Sequence, residues 1–200
     1  MIKRFESKEA DLHVLGIAGS LRRGSLNRRL LQAAVELAPE GMEVEPFELA
    51  SVPLYNADLD TDEERPVAVR RLKEAVAEAD GVLIATPEYN HGVPGVLQNA
   101  IDWVSRPAGR SPLKGKPVAI MGASQGAVGT ARAQQKLTLV LLSTFAYIMP
   151  HPGILVANAG DRFDEEGRLT HEPTRKLLGS FLEQLAEWTA RMGSGAEVVR

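Results

Sequence analysis

The chain has 200 residues, 44% of them hydrophobic and 24% charged. Its 26 acidic side chains outnumber its 23 basic ones, so the net charge of -3 leaves no polybasic surface for a nucleic-acid backbone. It has no cysteine, which excludes a disulfide scaffold, a thiolate nucleophile, a cysteine-ligated zinc site and an iron-sulfur cluster. The first ten residues lack the apolar centre of a secretory signal, and no later run is apolar for the length of a membrane span, so a cytoplasmic location is expected.

In chain order, Leu12 to Ala18 is a nearly continuous apolar run of the kind that forms a strand buried on both faces. Leu26, Leu30, Leu31, Ala34 and Leu37 recur at helical spacing until Pro39 and Gly41 stop them. Met42 to Leu49 alternates as a second strand. Ser51 to Arg65 has no apolar period, and its acidic run is expected to be a solvated surface. Val69, Leu72, Val76 and Ala79 mark a second helix, Val82 to Thr86 a third strand and Pro94 to Val104 a third helix. Pro117 to Met121 follows as a fourth strand and Ala127 to Leu142 as a fourth helix. Either Phe145 to Met149 or Ile154 to Val156 supplies a fifth strand. Leu177 to Trp188 carries the stripe of a last helix.

Alternation of strands and helices implies an α/β fold, a flavodoxin-like, doubly wound, five-stranded parallel sheet with helices on both faces. Residues 12–192 form this one domain, after an N-terminal extension (residues 1–11) and before a flexible tail (residues 193–200).

Ligands of such sheets bind beyond the carboxyl ends of the strands, where strand order reverses. After the first strand, Gly19-Ser-Leu-Arg-Arg-Gly-Ser-Leu-Asn27 leads into a helix N-terminus, whose unpaired N–H groups and positive dipole end suit a phosphate. It is neither a Walker loop nor a Gly-x-Gly-x-x-Gly turn, which disfavours a nucleoside triphosphatase. The plainer reading is that Ser25 only caps the helix. After the third strand, Thr86-Pro-Glu-Tyr-Asn-His-Gly-Val-Pro-Gly95 could present N–H groups to the edge of a flat heteroaromatic ring while Tyr89 shields it; two prolines that merely end a strand and start a helix are the alternative. After the fourth, Gly122-Ala-Ser-Gln-Gly-Ala-Val-Gly129 lets backbone approach a ligand closely, or is a simple helix start. One ligand explains all three loops: a phosphate at the first, a ring at the second and closure by the third, which describes FMN.

At these residues the chain resembles the NAD(P)H-dependent FMN reductases of the flavodoxin-like superfamily, a group that includes quinone, chromate and azo-dye reductases. The likeness rests on Gly19-Ser-Leu-Arg-x-Gly-Ser-x-Asn27 and on Pro87-Glu-Tyr-Asn-His-Gly-x-Pro-Gly-x-Leu-x-Asn-x-Ile-Asp-Trp103. It implies that Ser20, Arg22, Ser25, Leu26 and Asn27 hold the FMN phosphate, that Pro87, Glu88, Tyr89 and Asn90 run along the ring edge, and that Ser124, Gln125 and Gly126 complete the pocket. It also implies a homodimer or homotetramer, NAD(P)H as co-substrate, small-molecule electron acceptors and ping-pong hydride transfer. No side chain need be catalytic. A flavodoxin-type electron carrier is the alternative, although a charge of -3 gives little steering toward protein partners. Asp102 and Trp103 are expected to be structural. The four histidines lack metal spacing, and only His91 lies near the expected pocket. Tyr55 and Asn56 either cover the ring or seal a neighbouring subunit.

Overall fold

The structure, a computed structural model, describes residues 12–151 and 153–195. The expected N-terminal extension (1–11) lies outside the described residues, as does the end of the expected tail (196–200). Strand β1 (Leu12–Ala18) leads to helix α1 (Leu26–Glu36) and strand β2 (Met42–Phe47). A long loop reaches α2 (Val67–Glu78), β3 (Gly81–Ala85) and α3 (Gly95–Val104). Then come β4 (Pro117–Ala123), α4 (Ala131–Ser143), β5 (Tyr147–Ile148), β6 (Ile154–Val156) and α5 (Glu172–Gly195).

The sheet order is β2-β1-β3-β4-β5 and all its pairings are parallel, so strand order reverses between β1 and β3. Both candidates for the fifth strand pair with β4. The β5 strand lies against Pro117 and Val118, and β6 lies against Met121 to Ala123. They occupy one lane of the sheet with a break between them at Pro150 and Gly153. Gly153 sits at φ +78°, and a Cβ there would fall 2.1 Å from Gln134 Oε1. Gln134 holds the break: its amide donates to the Ile154 carbonyl at 2.8 Å and to Thr130 Oγ1 at 3.0 Å.

Period-two alternation divides the strand side chains between two cores. Val14, Leu83, Met121 and Ile154 face α1 and α5, against Leu30, Leu31, Leu178, Phe181 and Leu185. Leu15, Ile17, Ile84 and Ile120 face α2, α3 and α4, against Leu72, Val76, Leu97, Ile101, Leu137 and Leu141.

Several boundaries depart from the sequence reading: β2 stops at Phe47 rather than Leu49, α5 starts at Glu172 rather than Leu177, and two further shifts have a visible cause. Helix α4 begins at Ala131 rather than Ala127, because residues 127–130 form a turn through Gly129 at φ +64°. Helix α5 continues to Gly195, past the residue at which the tail was expected to start, because the buried Leu185 and Thr189 keep its last turns on the sheet.

Candidate functional site

The loop after β1 is built around the start of α1. Ser25, 2% exposed, is the N-cap, and its side chain accepts from the N–H of Arg28 at 3.3 Å. Its own N–H donates to the Arg22 carbonyl at 3.1 Å. Of the four N–H groups that a helix start leaves over, those of Leu26 and Asn27 have no acceptor among the described residues. The Ser25 cap therefore leaves two backbone donors at the helix start unpaired. Arg22 is exposed and folds back, donating from Nη2 to the Gly24 carbonyl at 2.8 Å. Ser20 is buried and shares a hydrogen bond with the Tyr89 hydroxyl at 3.2 Å, which ties this loop to the one after β3.

Asn27 sits where it was expected, but its side chain turns inward. The amide donates to the Ala123 carbonyl at 2.9 Å, and its oxygen accepts from the Ala123 N–H at 2.8 Å. Both polar ends of the side chain are thereby spent on the end of β4, leaving its backbone N–H for a ligand.

In the loop after β3, the Gly92 N–H donates to the Tyr89 carbonyl at 3.0 Å, and the central residues Asn90 and His91 have φ of 50° and 58°. Positive φ at both central positions is the signature of a type I′ turn, which asparagine tolerates better than most residues. Tyr89 is half-exposed across the mouth. The N–H groups of Glu88, Asn90 and His91 have no acceptor among the described residues. Pro87 is buried against Gly19, where an added Cβ would lie 3.2 Å from the proline ring and 3.1 Å from Leu97.

The Glu88 carboxylate also turns away from the mouth, toward α4. It accepts from the N–H groups of Arg132 and Ala133 at 3.0 and 3.1 Å and from Arg132 Nη1 at 3.1 Å. It thus caps α4, whose own N-cap residue Thr130 makes no side-chain cap bond. His91 Nδ1 lies 3.4 Å from the same carboxylate and 3.0 Å from Arg132 Nη1. Burial raises the Glu88 pKa, but the Ala133 N–H, the Arg132 guanidinium, His91 and the Arg132 N–H outweigh it, and the carboxyl ionises below its ordinary value of 4.5. No residue pattern singled out Arg132, which meets Glu88 44 positions away.

After β4, Ser124 Oγ donates to the Gly129 carbonyl at 2.8 Å and accepts from the Gly126 N–H at 3.1 Å. Gln125 and Gly126 are exposed beside it. Gly122 permits the close approach of all this to β3, since a Cβ there would fall 2.0 Å from Thr130 Oγ1 and 2.4 Å from the Thr86 carbonyl. The expected residues thus lie in three loops on one end of the sheet, flanking the reversal point. Their unpaired N–H groups suit a ligand with an anionic tail and a flat polar-edged ring, and that donor set fits FMN.

The loop after β2 is anchored from α3. Asn99 donates to the Pro53 carbonyl at 2.8 Å and accepts from the Tyr55 N–H at 2.7 Å, while the buried Trp103 indole N–H donates to the same carbonyl at 2.8 Å. Tyr55 packs edge-on against Trp103 with centroids 4.9 Å apart. Trp103 is structural, as expected, and Asn56 caps the short turn at Ala57–Leu59. The acidic run is only partly the solvated surface that was expected. Asp60 accepts from Arg65 Nε at 2.7 Å and Lys73 Nζ at 2.9 Å, with 8% of its side chain exposed, because cations from the loop and from α2 converge on it. Burial raises the Asp60 pKa, and the bonds from Lys73 and Arg65 more than reverse this. Among the described residues no cluster of His, Asp and Glu could hold a metal ion, and no helix is long and apolar enough to cross a membrane.

The family described as NADPH-dependent FMN reductase matches residues 12–161. The chain is 44% identical over 182 residues to the NAD(P)H-dependent FMN reductase PA1204 of Pseudomonas aeruginosa, covering 91% of this chain and 97% of that one. It is 42% identical over 177 residues to the 2-hydroxy-1,4-benzoquinone reductase of a Burkholderia species, covering 88% and 96%. Among solved structures it is similar to FerB, a flavoenzyme NAD(P)H:(acceptor) oxidoreductase of Paracoccus denitrificans. There the TM-score is 0.83 and the identity 36%, over 90% of this chain and 98% of that one.

Proposed function

The chain belongs to the NADPH-dependent FMN reductase family, and from that premise we propose that it reduces small-molecule acceptors with NAD(P)H through FMN seated across the ends of β1, β3 and β4. The observation that carries the reading is the donor array. The N–H groups of Leu26 and Asn27 point out of a capped helix start, and those of Glu88 and Asn90 line a turn held rigid beside it. Leu26, Asn27, Ser20, Ser25 and Arg22 surround the phosphate in this reading. Pro87, Glu88, Tyr89 and Asn90 follow the ring edge with backbone, and Ser124, Gln125 and Gly126 close the other side.

Bound FMN supplies the redox chemistry, accepting hydride from the nicotinamide and yielding the electrons to an acceptor. The protein's part is positioning. Backbone N–H groups near Asn90 offer fixed dipoles where negative charge gathers, and the helix start holds the anionic tail. Glu88 is not a proton donor here, because α4 keeps its carboxylate ionised and occupied. We read the mouth as one place that serves the nicotinamide and the acceptor in turn, which makes the kinetics ping-pong. The acceptor class is quinones, free flavins, azo compounds or chromate-type oxyanions. A quinone acceptor is supported by the likeness to the 2-hydroxy-1,4-benzoquinone reductase of the Burkholderia species.

Exposed apolar side chains at and after the end of α4, Leu142 at 53%, Phe145 at 64% and Tyr147 at 50%, support assembly as a homodimer or homotetramer.

Anaerobic mixing of the FMN-loaded protein with NADPH tests the reading. Bleaching of the flavin absorption, then its recovery on adding a quinone, is the expected result. Parallel double-reciprocal lines at several quinone concentrations are expected in steady state. A flavin that stays oxidised overturns the proposal.

A further inference from the structure

We propose that Arg132, Gln135 and Lys136, on one face of α4 beside the Tyr89–Gly92 turn, form an anion-recognising rim that takes the additional phosphate of NADPH and so selects it over NADH; this rests on the reductase reading above. The three residues are exposed and lie at i, i+3 and i+4, which places them side by side on the helix. The helix they occupy, Ala-Arg-Ala-Gln-Gln-Lys-Leu-Thr-Leu-Val-Leu-Leu-Ser, contains no acidic residue.

Arg132 is already oriented. Its Nη1 donates to Glu88 Oε1 and lies 3.0 Å from His91 Nδ1, while the donors on Nη2 and Nε have no acceptor among the described residues. A guanidinium fixed along one edge with its other edge free is preorganised for the forked contact that phosphate oxygens make. Glu88, the carboxylate that faces this corner, pairs with Arg132 and is saturated by two backbone N–H groups and Nη1, so it makes no bond to Lys136. Lys136 stands one turn further along α4. Its ammonium is 4.0 Å from where a Gly92 Cβ would be, over the Tyr89–Gly92 turn, and it has no hydrogen bond or ion pair among the described residues. Gln135 adds an exposed, uncharged amide donor on the other side of Arg132 from Lys136.

These groups adjoin the loop expected to carry the ring edge, yet none belongs to the flavin seat. With Arg132 paired to Glu88, Lys136 supplies the unpaired positive charge of the rim and Arg132 its oriented donors, and together these attract a dianion. NADPH carries a phosphate monoester on its adenosine ribose where NADH has a hydroxyl, so this rim distinguishes the two by charge alone.

The test uses the FMN-loaded protein and its Lys136→Ala, Lys136→Glu and Lys136→Arg variants. Arg132 is left intact because its loss would also release Glu88. Lys136→Ala is expected to raise KM for NADPH about five- to tenfold, with kcat and the NADH constants within about twofold of the wild type. Lys136→Glu is expected to reverse the preference, and Lys136→Arg to keep it. Calorimetric binding of adenosine 2′,5′-bisphosphate against adenosine 5′-monophosphate gives a readout independent of turnover: the wild type is expected to favour the bisphosphate, and Lys136→Glu to lose that preference. Equal losses with NADH, no change with either nicotinamide, or equal binding of the two adenosine phosphates by the wild type each overturns the rim. A wild type that binds the bisphosphate selectively but oxidises neither nicotinamide leaves the rim standing and removes the reductase reading.

Discussion

Asn27 spends its whole side chain on the Ala123 peptide, 96 positions away, and so joins the start of α1 to the end of β4. Removing it leaves a buried N–H and a buried carbonyl without partners. Asn27→Ala is therefore expected to cost about 2–4 kcal/mol, read from the urea midpoint at constant m-value; an unchanged midpoint would remove that role. Glu88 allows a test by pH. Its folded-state pKa is depressed, so its contribution to stability is complete above the ordinary value of 4.5 and is lost as pH falls through the lower folded value. The stability gap between wild type and Glu88→Gln is thus expected to be widest at neutral pH and to close on acidification below 4.5. A gap that does not vary with pH contradicts an ionised cap. Arg22, exposed beside the helix start, is expected to lend charge to the phosphate seat. Arg22→Ala should weaken FMN binding by about 1.5 kcal/mol or more, roughly tenfold by fluorescence titration.

Among the elements, the strands and helices were legible because their apolar periods are strong. Val14 and Leu15 go to opposite cores as period-two alternation demands, and Leu72 and Val76 form a stripe on α2. The start of α4 was less so, since Ala127 and Val128 fit a helical pattern while Gly129 at φ +64° holds them in a turn. The choice between two fifth strands could not be made from periodicity, because each segment is short and both pair with β4. The loop after β2 showed no period and read as surface. What orders it is a set of contacts at long separation, from Asn99, Trp103 and the Asp60, Arg65 and Lys73 cluster. Asp60→Ala strands two cations in a half-buried cluster, so limited proteolysis near the exposed Leu54 is expected to speed up severalfold with little change elsewhere. Cleavage at the wild-type rate would show that Asn99 and Trp103 hold the loop unaided.

At the scale of the whole molecule, a sheet reversing between β1 and β3 brings three loops from distant parts of the chain to one end. Their composition was legible as a ligand site because glycine and small polar residues cluster there beyond what helix starts require. The use of their side chains was not. Asn27 and Glu88 were expected beside the cofactor, and their side chains turn toward partners in the protein, on β4 and α4, that only the fold brings near. The proposed reading gives the cofactor the backbone donors they leave behind. Solving the structure of the protein crystallised with FMN tests this most directly. The account predicts the phosphate against the N–H groups of Leu26 and Asn27, with the ring edge along Glu88 to Asn90; FMN lodged at another surface, or crystals that take up none, would contradict it.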